Sequence, residues 1–147
     1  EPFPPDDFES YAALAKATNI PIAGMEHEYT RWGFKSLIEK DAAQILQPDT
    51  SWAGGITEMR KICALASAFG RWVVPHSNED VPVNIHLLFS QQPRTCPFQE
   101  FNPKLNAANQ YFFKTKVQPE NGVFTIPNGP GFGMELDQAK IVKIDNI

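Results

Sequence analysis

Four short apolar runs in this chain each end on a titratable residue, Glu26, Asp49, His76 and Glu100, at intervals of 23, 27 and 24 positions. An interval of that size holds one strand and a helical crossover to the next, and such crossovers are what join parallel strands. Parallel strands carried in this rhythm place all their C-terminal ends on one side of the sheet. In a (β/α)8 barrel that side gathers functional groups from strands far apart in sequence. The phasing therefore predicts an α/β fold and a cluster built from the four residues.

The intervening residues support the alternation. Strands are predicted at 19–25, 43–49, 71–76 and 95–101. Ahead of the first, Asp6 or Asp7 can cap a helix whose apolar residues Phe8, Tyr11, Ala12 and Ala15 share one face. Thr30 is placed to cap a helix with Phe34, Leu37 and Ile38 on one side. The Gly54-Gly55 pair opens a long helix with Met59, Ile62, Cys63, Ala66 and Phe69 in register, and Gly70 stops it. Pro82 suits the first turn of another helix running through Leu87, Leu88 and Phe89. From Asn102 onward the alternation ends. Short β-like pieces at 111–113 and 123–126 and the turn-rich run 127–133 predict an irregular tail. Residues 1–101 are thus read as the barrel portion and 102–147 as a segment packing over it.

Composition excludes several function classes. With 13 Lys+Arg against 17 Asp+Glu and a net charge of −4, there is no basic stripe to bind nucleic acid. No run approaches the roughly 18 apolar residues of a membrane span, and neither a basic n-region nor an apolar h-region opens the chain, so a cytoplasmic protein is the expectation. Cys63 and Cys96 lack metal-ligand spacing and are read as reduced core thiols. The chain opens on Glu1-Pro2-Phe3-Pro4-Pro5 rather than Met, which reads as a segment of a longer polypeptide.

Any one of the four strand-end residues is most simply a solvated loop charge or a satisfied polar cap. As a phased set they carry chemistry: a carboxylate can hold a hard cation, a histidine is a base near neutral pH, an aspartate beside it orients the ring, and an acid can donate to a developing oxyanion. Such a set suits proton removal next to a carboxylate.

Five segments in order, Gly24-Met25-Glu26-His27-Glu28, Gln47-Pro48-Asp49 with Trp52-Ala53-Gly54-Gly55-Ile56-Thr57-Glu58, Val73-Val74-Pro75-His76, Cys96-Pro97-Phe98-Gln99-Glu100-Phe101, and Pro130-Gly131-Phe132-Gly133-Met134-Glu135-Leu136, resemble the mandelate racemase branch of the enolase superfamily, and within it the L-rhamnonate dehydratases. The resemblance implies the C-terminal half of a (β/α)8 barrel followed by a tail that packs on the barrel and on an N-terminal lid domain. It implies Glu26 as a ligand of an essential Mg2+, His76 as general base, Asp49 as its dyad partner, Glu100 as the acid hydrogen-bonding the enolate, and His27 as a substrate-binding residue. Glu1 matches the neighbour of a further ligand. The implied activity is a hydro-lyase acting on a small-molecule sugar acid, L-rhamnonate to 2-keto-3-deoxy-L-rhamnonate plus water, in a full-length homo-oligomer. The alternatives are a racemase or epimerase of the same superfamily, or a non-catalytic truncated remnant.

One departure from the family pattern follows the base, where Ser77-Asn78-Glu79-Asp80 replaces a glycine and small hydroxyl residues. Glu79 and Asp80 are expected to point away from an anionic substrate. His86 reads as a partly buried helix residue, and Trp32, Trp52 and Trp72 as packing residues, with Trp52 also within reach of a substrate. Tyr29 and Arg31 fit either substrate contact or the surface start of a helix. A lone barrel half leaves open parallel edges, so this segment by itself is expected to aggregate, dimerise or need its other half.

Overall fold

The computed structural model describes residues 1–78 and 81–142; the orientation of Glu79 and Asp80 lies outside the described residues. β1 (Ala23–Gly24), β2 (Ile45–Leu46) and β3 (Trp72–Val73) form a parallel sheet in that order, with Ala23 opposite Ile45 and Ile45 opposite Trp72. Each lies inside the run read from the sequence, yet only two residues of each are strand. Proline is the physical reason. Pro48 and Pro75 have no N–H to donate, so the ladder loses rungs just where the strands approach the titratable residues. The backbones still run in step beyond that point: Gln47 N–H donates to Gly24 O at 2.9 Å and His76 N–H to Pro48 O at 3.0 Å.

The fourth run, 95–101, is not a strand: it starts in a turn, with the Thr95 and Cys96 N–H groups both donating to Gln92 O, and has no regular structure over its remaining length. Val73 N–H donates to Thr95 O at 2.8 Å, and the next parallel rung calls for an N–H from position 97, which is Pro97. The Gln99 side chain substitutes, donating from Nε2 to Pro75 O at 3.0 Å.

The crossovers are helical. α1 (Phe8–Ala17) buries Tyr11 and Ala12 and is capped by Asp7, whose carboxylate accepts the Ser10 N–H at 3.0 Å. α2 (Thr30–Glu39) buries Phe34, Leu37 and Ile38. Thr30 is its first residue rather than its cap, and the start of α2 is secured across space: Glu58 accepts the Arg31 N–H at 3.0 Å and the Arg31 guanidinium at 2.8 Å. β2 leads into the one-turn α3 (Thr50–Ala53), and Gly54, at φ 112°, breaks the chain before α4 (Gly55–Ala68). α4 buries Met59, Ile62, Cys63 and Ala66 and packs against α2. Phe69, expected on that face, is 55% exposed. The helix ends at Ala68, and at φ −104° and ψ 8° the next residue has left the helical register. α5 (Val81–Phe89) carries Pro82 in its first turn.

The core joins α1, the three strands, α2 and α4, with Cys63 and Cys96 as buried free thiols whose Sγ atoms lie 3.7 Å apart. None of the three tryptophans read as packing residues is core, Trp52 being 47% exposed. Trp32 is 63% exposed beneath the Arg31 guanidinium, and Trp72 is 42% exposed, edge-on to Phe98. The tail holds α6 (Asn106–Asn109), a 3-10 turn at Gln138–Lys140 and two single bridges, Phe113 with Leu136 and Glu120 with Val123. Buried Gln110 replaces a missing strand there, accepting from Val117 N–H at 2.7 Å and donating to Val117 O at 2.9 Å. Among the described residues no helix is long and apolar enough to cross a membrane.

α2 offers a direct test of this packing. In the full-length protein Phe34→Ala, which empties a fully buried site, should cost roughly 3–5 kcal/mol in denaturant unfolding. Trp32→Ala on the outer face of the same helix should change stability by about 0.5 kcal/mol or less.

Candidate active site

The end of β1 is held in an unusual conformation. Met25 is fully buried at φ 78°, a region that costs a non-glycine residue about 1–3 kcal/mol and persists only when surroundings enforce it. The enforcement comes from Glu1, whose carboxylate accepts the Met25 N–H at 2.7 Å and the Glu26 N–H at 3.3 Å while also accepting the Tyr11 hydroxyl. Gly24 allows the approach, since a Cβ there would lie 3.0 Å from the Glu1 carboxylate. The turned backbone sets Glu26 against two imidazoles, with Oε2 3.1 Å from His76 Nε2 and Oε1 3.6 Å from His27 Nε2.

Asp49 does two things at once. As N-cap of α3 its Oδ1 accepts the N–H groups of Ser51 at 2.9 Å and Trp52 at 3.1 Å, and its Oδ2 lies 3.0 Å from His76 Nδ1. Burial acts to raise this carboxyl, but the hydrogen bonds from His76, Trp52 N–H and Asn78 outweigh it and hold the group below its ordinary 3.8. On His76 the same Asp49 hydrogen bond acts upward, against burial, and the charges of Glu26 and Glu100 add to it, so the imidazole titrates above its ordinary range.

The backbone beneath the histidine is also fixed. Asn84 in α5 donates from Nδ2 to His76 O at 3.1 Å, and its own Oδ1 accepts the Thr50 hydroxyl. Glu100 stands one residue further along, its Oε2 accepting the Ser77 N–H at 3.1 Å. A cavity of about 130 Å³ is lined by Glu26, His27, Asp49, Trp52, His76 and Asn78.

Glu26, His27, Asp49 and His76 thus meet at one cavity, with Glu100 close to His76. His86 is elsewhere, its Nε2 3.1 Å from Phe132 O, and Arg31 is drawn to Glu58, which settles it as a helix-start residue. The sequence reading missed Asn84 and Asn78. Asn84 had a legible signal: it is an amide inside the apolar run Val81–Phe89, and a fully buried amide must find partners.

As to a metal, no group of three or more His, Cys, Asp or Glu that could hold an ion occurs among the described residues. Glu1 is committed to backbone N–H groups and Tyr11, whereas the Glu26 carboxylate borders the cavity and offers the hard oxygen donor that magnesium takes. Glu26 fits as one ligand of such an ion.

Residues 1–140 match the family model described as Enolase C-terminal domain-like. The chain belongs to the enolase superfamily. A protein of Caldivirga maquilingensis provisionally named L-rhamnonate dehydratase is 37% identical over 150 residues, covering 97% of this chain and 37% of the relative. Among solved structures, the 3,6-anhydro-D-galactonate cycloisomerase of Zobellia galactanivorans superposes with a TM-score of 0.84 at 36% identity, covering 95% of this chain and 40% of that one. L-Talarate dehydratase of Polaromonas sp. JS666, in complex with Mg and L-glucarate, superposes with a TM-score of 0.78 at 31% identity over 93% of this chain and 36% of that one. Further neighbours are mandelate racemase/muconate lactonizing enzyme-like proteins, which sets the chain on that branch of the superfamily. The chain spans about two fifths of the length of these relatives. Its parallel strands and crossovers are the C-terminal part of the superfamily's (β/α)8 barrel.

The double duty of Asp49 separates two variants. Asp49→Asn keeps a capping oxygen, while Asp49→Ala loses the cap and should be less stable than the Asn variant by about 1 kcal/mol in denaturant unfolding. Because the native carboxyl is held below 3.8, its ionised form stabilises the fold above that value and the contribution fades as pH falls through the lowered one. The stability gap between native protein and Asp49→Asn should therefore shrink on acidification below about pH 4.

Proposed function

We propose that the full-length protein containing this chain is a magnesium-dependent acid-sugar dehydratase, with L-rhamnonate as the leading substrate. The observation that carries the reading is the placement of His76, whose Nδ1 is taken by buried Asp49 while Nε2 is left at the cavity beside Glu26.

With Nδ1–H donated to Asp49, Nε2 would be the nitrogen left to act as base once Glu26, 3.1 Å from it, turns to a metal ion, and the aspartate's negative charge stabilises the imidazolium formed when that nitrogen accepts a proton. His76 takes the proton from C2 of the acid, the C–H electrons pass into the carboxylate to give an enolate, and Glu100, in its protonated carboxylic acid form, would donate a hydrogen bond to the developing oxyanion. Collapse of the enolate expels the C3 hydroxyl, His76 returns its proton to that oxygen, and water leaves. The resulting enol tautomerises to the 2-keto-3-deoxy acid. Glu26 would hold a magnesium ion, which when bound supplies electrostatic stabilisation of charge on the substrate carboxylate. The hydrogen bond from Asp49, which acts upward on the His76 imidazole, supports its role as the base. His27, edge-on to Trp52 with ring centroids 4.7 Å apart, is held where it can donate to a substrate hydroxyl. The names of the Caldivirga and Polaromonas relatives point the same way.

Turnover of a panel of aldonic acids by the full-length protein, followed as 2-keto-3-deoxy product, tests the reading. His76→Asn should lower kcat by about 10²–10⁴-fold. Chelation of magnesium should abolish product and its readdition restore it. Formation of the C2 epimer without keto product would instead support the racemase or epimerase reading.

A further inference from the structure

The reacting-centre cavity, at about 130 Å³, falls below the roughly 300 Å³ at which ligand pockets begin. It has room for a carboxylate and the carbons next to it, so a six-carbon acid must extend past its walls. A second cavity of about 490 Å³ adjoins it, lined by Pro5, Asp6, His27, Glu28, Tyr29 and Trp52. His27 and Trp52 line both and form the sill between them.

Two features of the second cavity select an occupant. Tyr29 and Trp52 are 54% and 47% exposed with ring planes 1° from parallel, centroids 6.3 Å apart. Such faces carry partial negative charge and attract the C–H groups along one side of a hydroxylated chain. Both backbones are pinned, Trp52 N–H by Asp49 at 3.1 Å and Tyr29 N–H by Glu28 at 2.7 Å, which limits the backbone ordering a ligand must impose. The titratable groups lining it besides His27 and Tyr29 are the acids Asp6 and Glu28, which accept hydroxyl hydrogen bonds and repel a second carboxylate.

We infer that Tyr29, Trp52, Asp6 and Glu28 form a distal subsite that stacks on the far carbons of a sugar acid and selects monocarboxylates over dicarboxylates. The inference rests on the proposed reaction only in assigning the near carboxylate to the Glu26 and His76 cavity.

Calorimetry on the full-length protein with magnesium tests it using L-rhamnonate, L-mannarate, which replaces the C6 methyl by a carboxylate, and DL-glycerate, which has no distal carbons. The expected result is L-rhamnonate at least tenfold tighter than either of the others, with Trp52→Ala removing the advantage over glycerate and Asp6→Asn narrowing the gap to mannarate. Equal affinity for L-rhamnonate and glycerate, retention of that difference in Trp52→Ala, or mannarate binding as tightly as L-rhamnonate would each overturn the subsite. A parallel product assay keeps the two ideas apart. Binding that depends on Trp52 without 2-keto product sinks the dehydratase reading alone, and product formation with affinity indifferent to Trp52 sinks the subsite alone.

Discussion

A carboxylate buried as fully as Asp49, only 3% exposed, stays ionised only if its oxygens are paired. The chain meets that demand by spending one oxygen on the start of a helix and the other on an imidazole. Each partner is fixed in turn. The helix turn sets Trp52 at the rim, and the imidazole reaches Glu26, which closes a circuit across the ends of three parallel strands. Removing the aspartate's charge would therefore disturb the His76 imidazole, the helix start and the rim together.

The surrounding fold rigidifies this circuit at several levels. Prolines stop the ladders just short of the site and free the strand ends to present side chains. Side-chain groups then replace the missing backbone rungs: Gln99 donates to Pro75 O, and Asn84 holds His76 O from the far side. The Met25 strain is held by Glu1 and Tyr11, so residues far apart in sequence share in setting the position of Glu26. The position of each side chain in the site comes from such supporting hydrogen bonds as much as from the groups themselves.

Most of the candidate site was legible because strand ends in a βα chain fall at regular intervals, and a titratable residue at each end stands out against an apolar run. Asn84 and Glu58 were harder to see. Their partners, His76 O and the Arg31 N–H, lie 8 and 27 positions away, and nothing local to either residue names the partner. Trp32, Trp52 and Trp72 misled in the opposite direction, since large aromatics are usually covered and these are not.

The sequence by itself determined the parallel βα order, the helix faces carrying Phe34, Leu37, Met59 and Ile62, and the identity of the strand-end residues, because periodicity and apolar runs are local properties. Tertiary structure alone decided which oxygen of Asp49 meets His76, that Glu26 completes the circuit, that the run 95–101 does not join the sheet as a strand, and that Trp52 divides one cavity from another. Those outcomes depend on distances of a few ångströms between segments more than 20 residues apart, and local sequence carries no record of such distances.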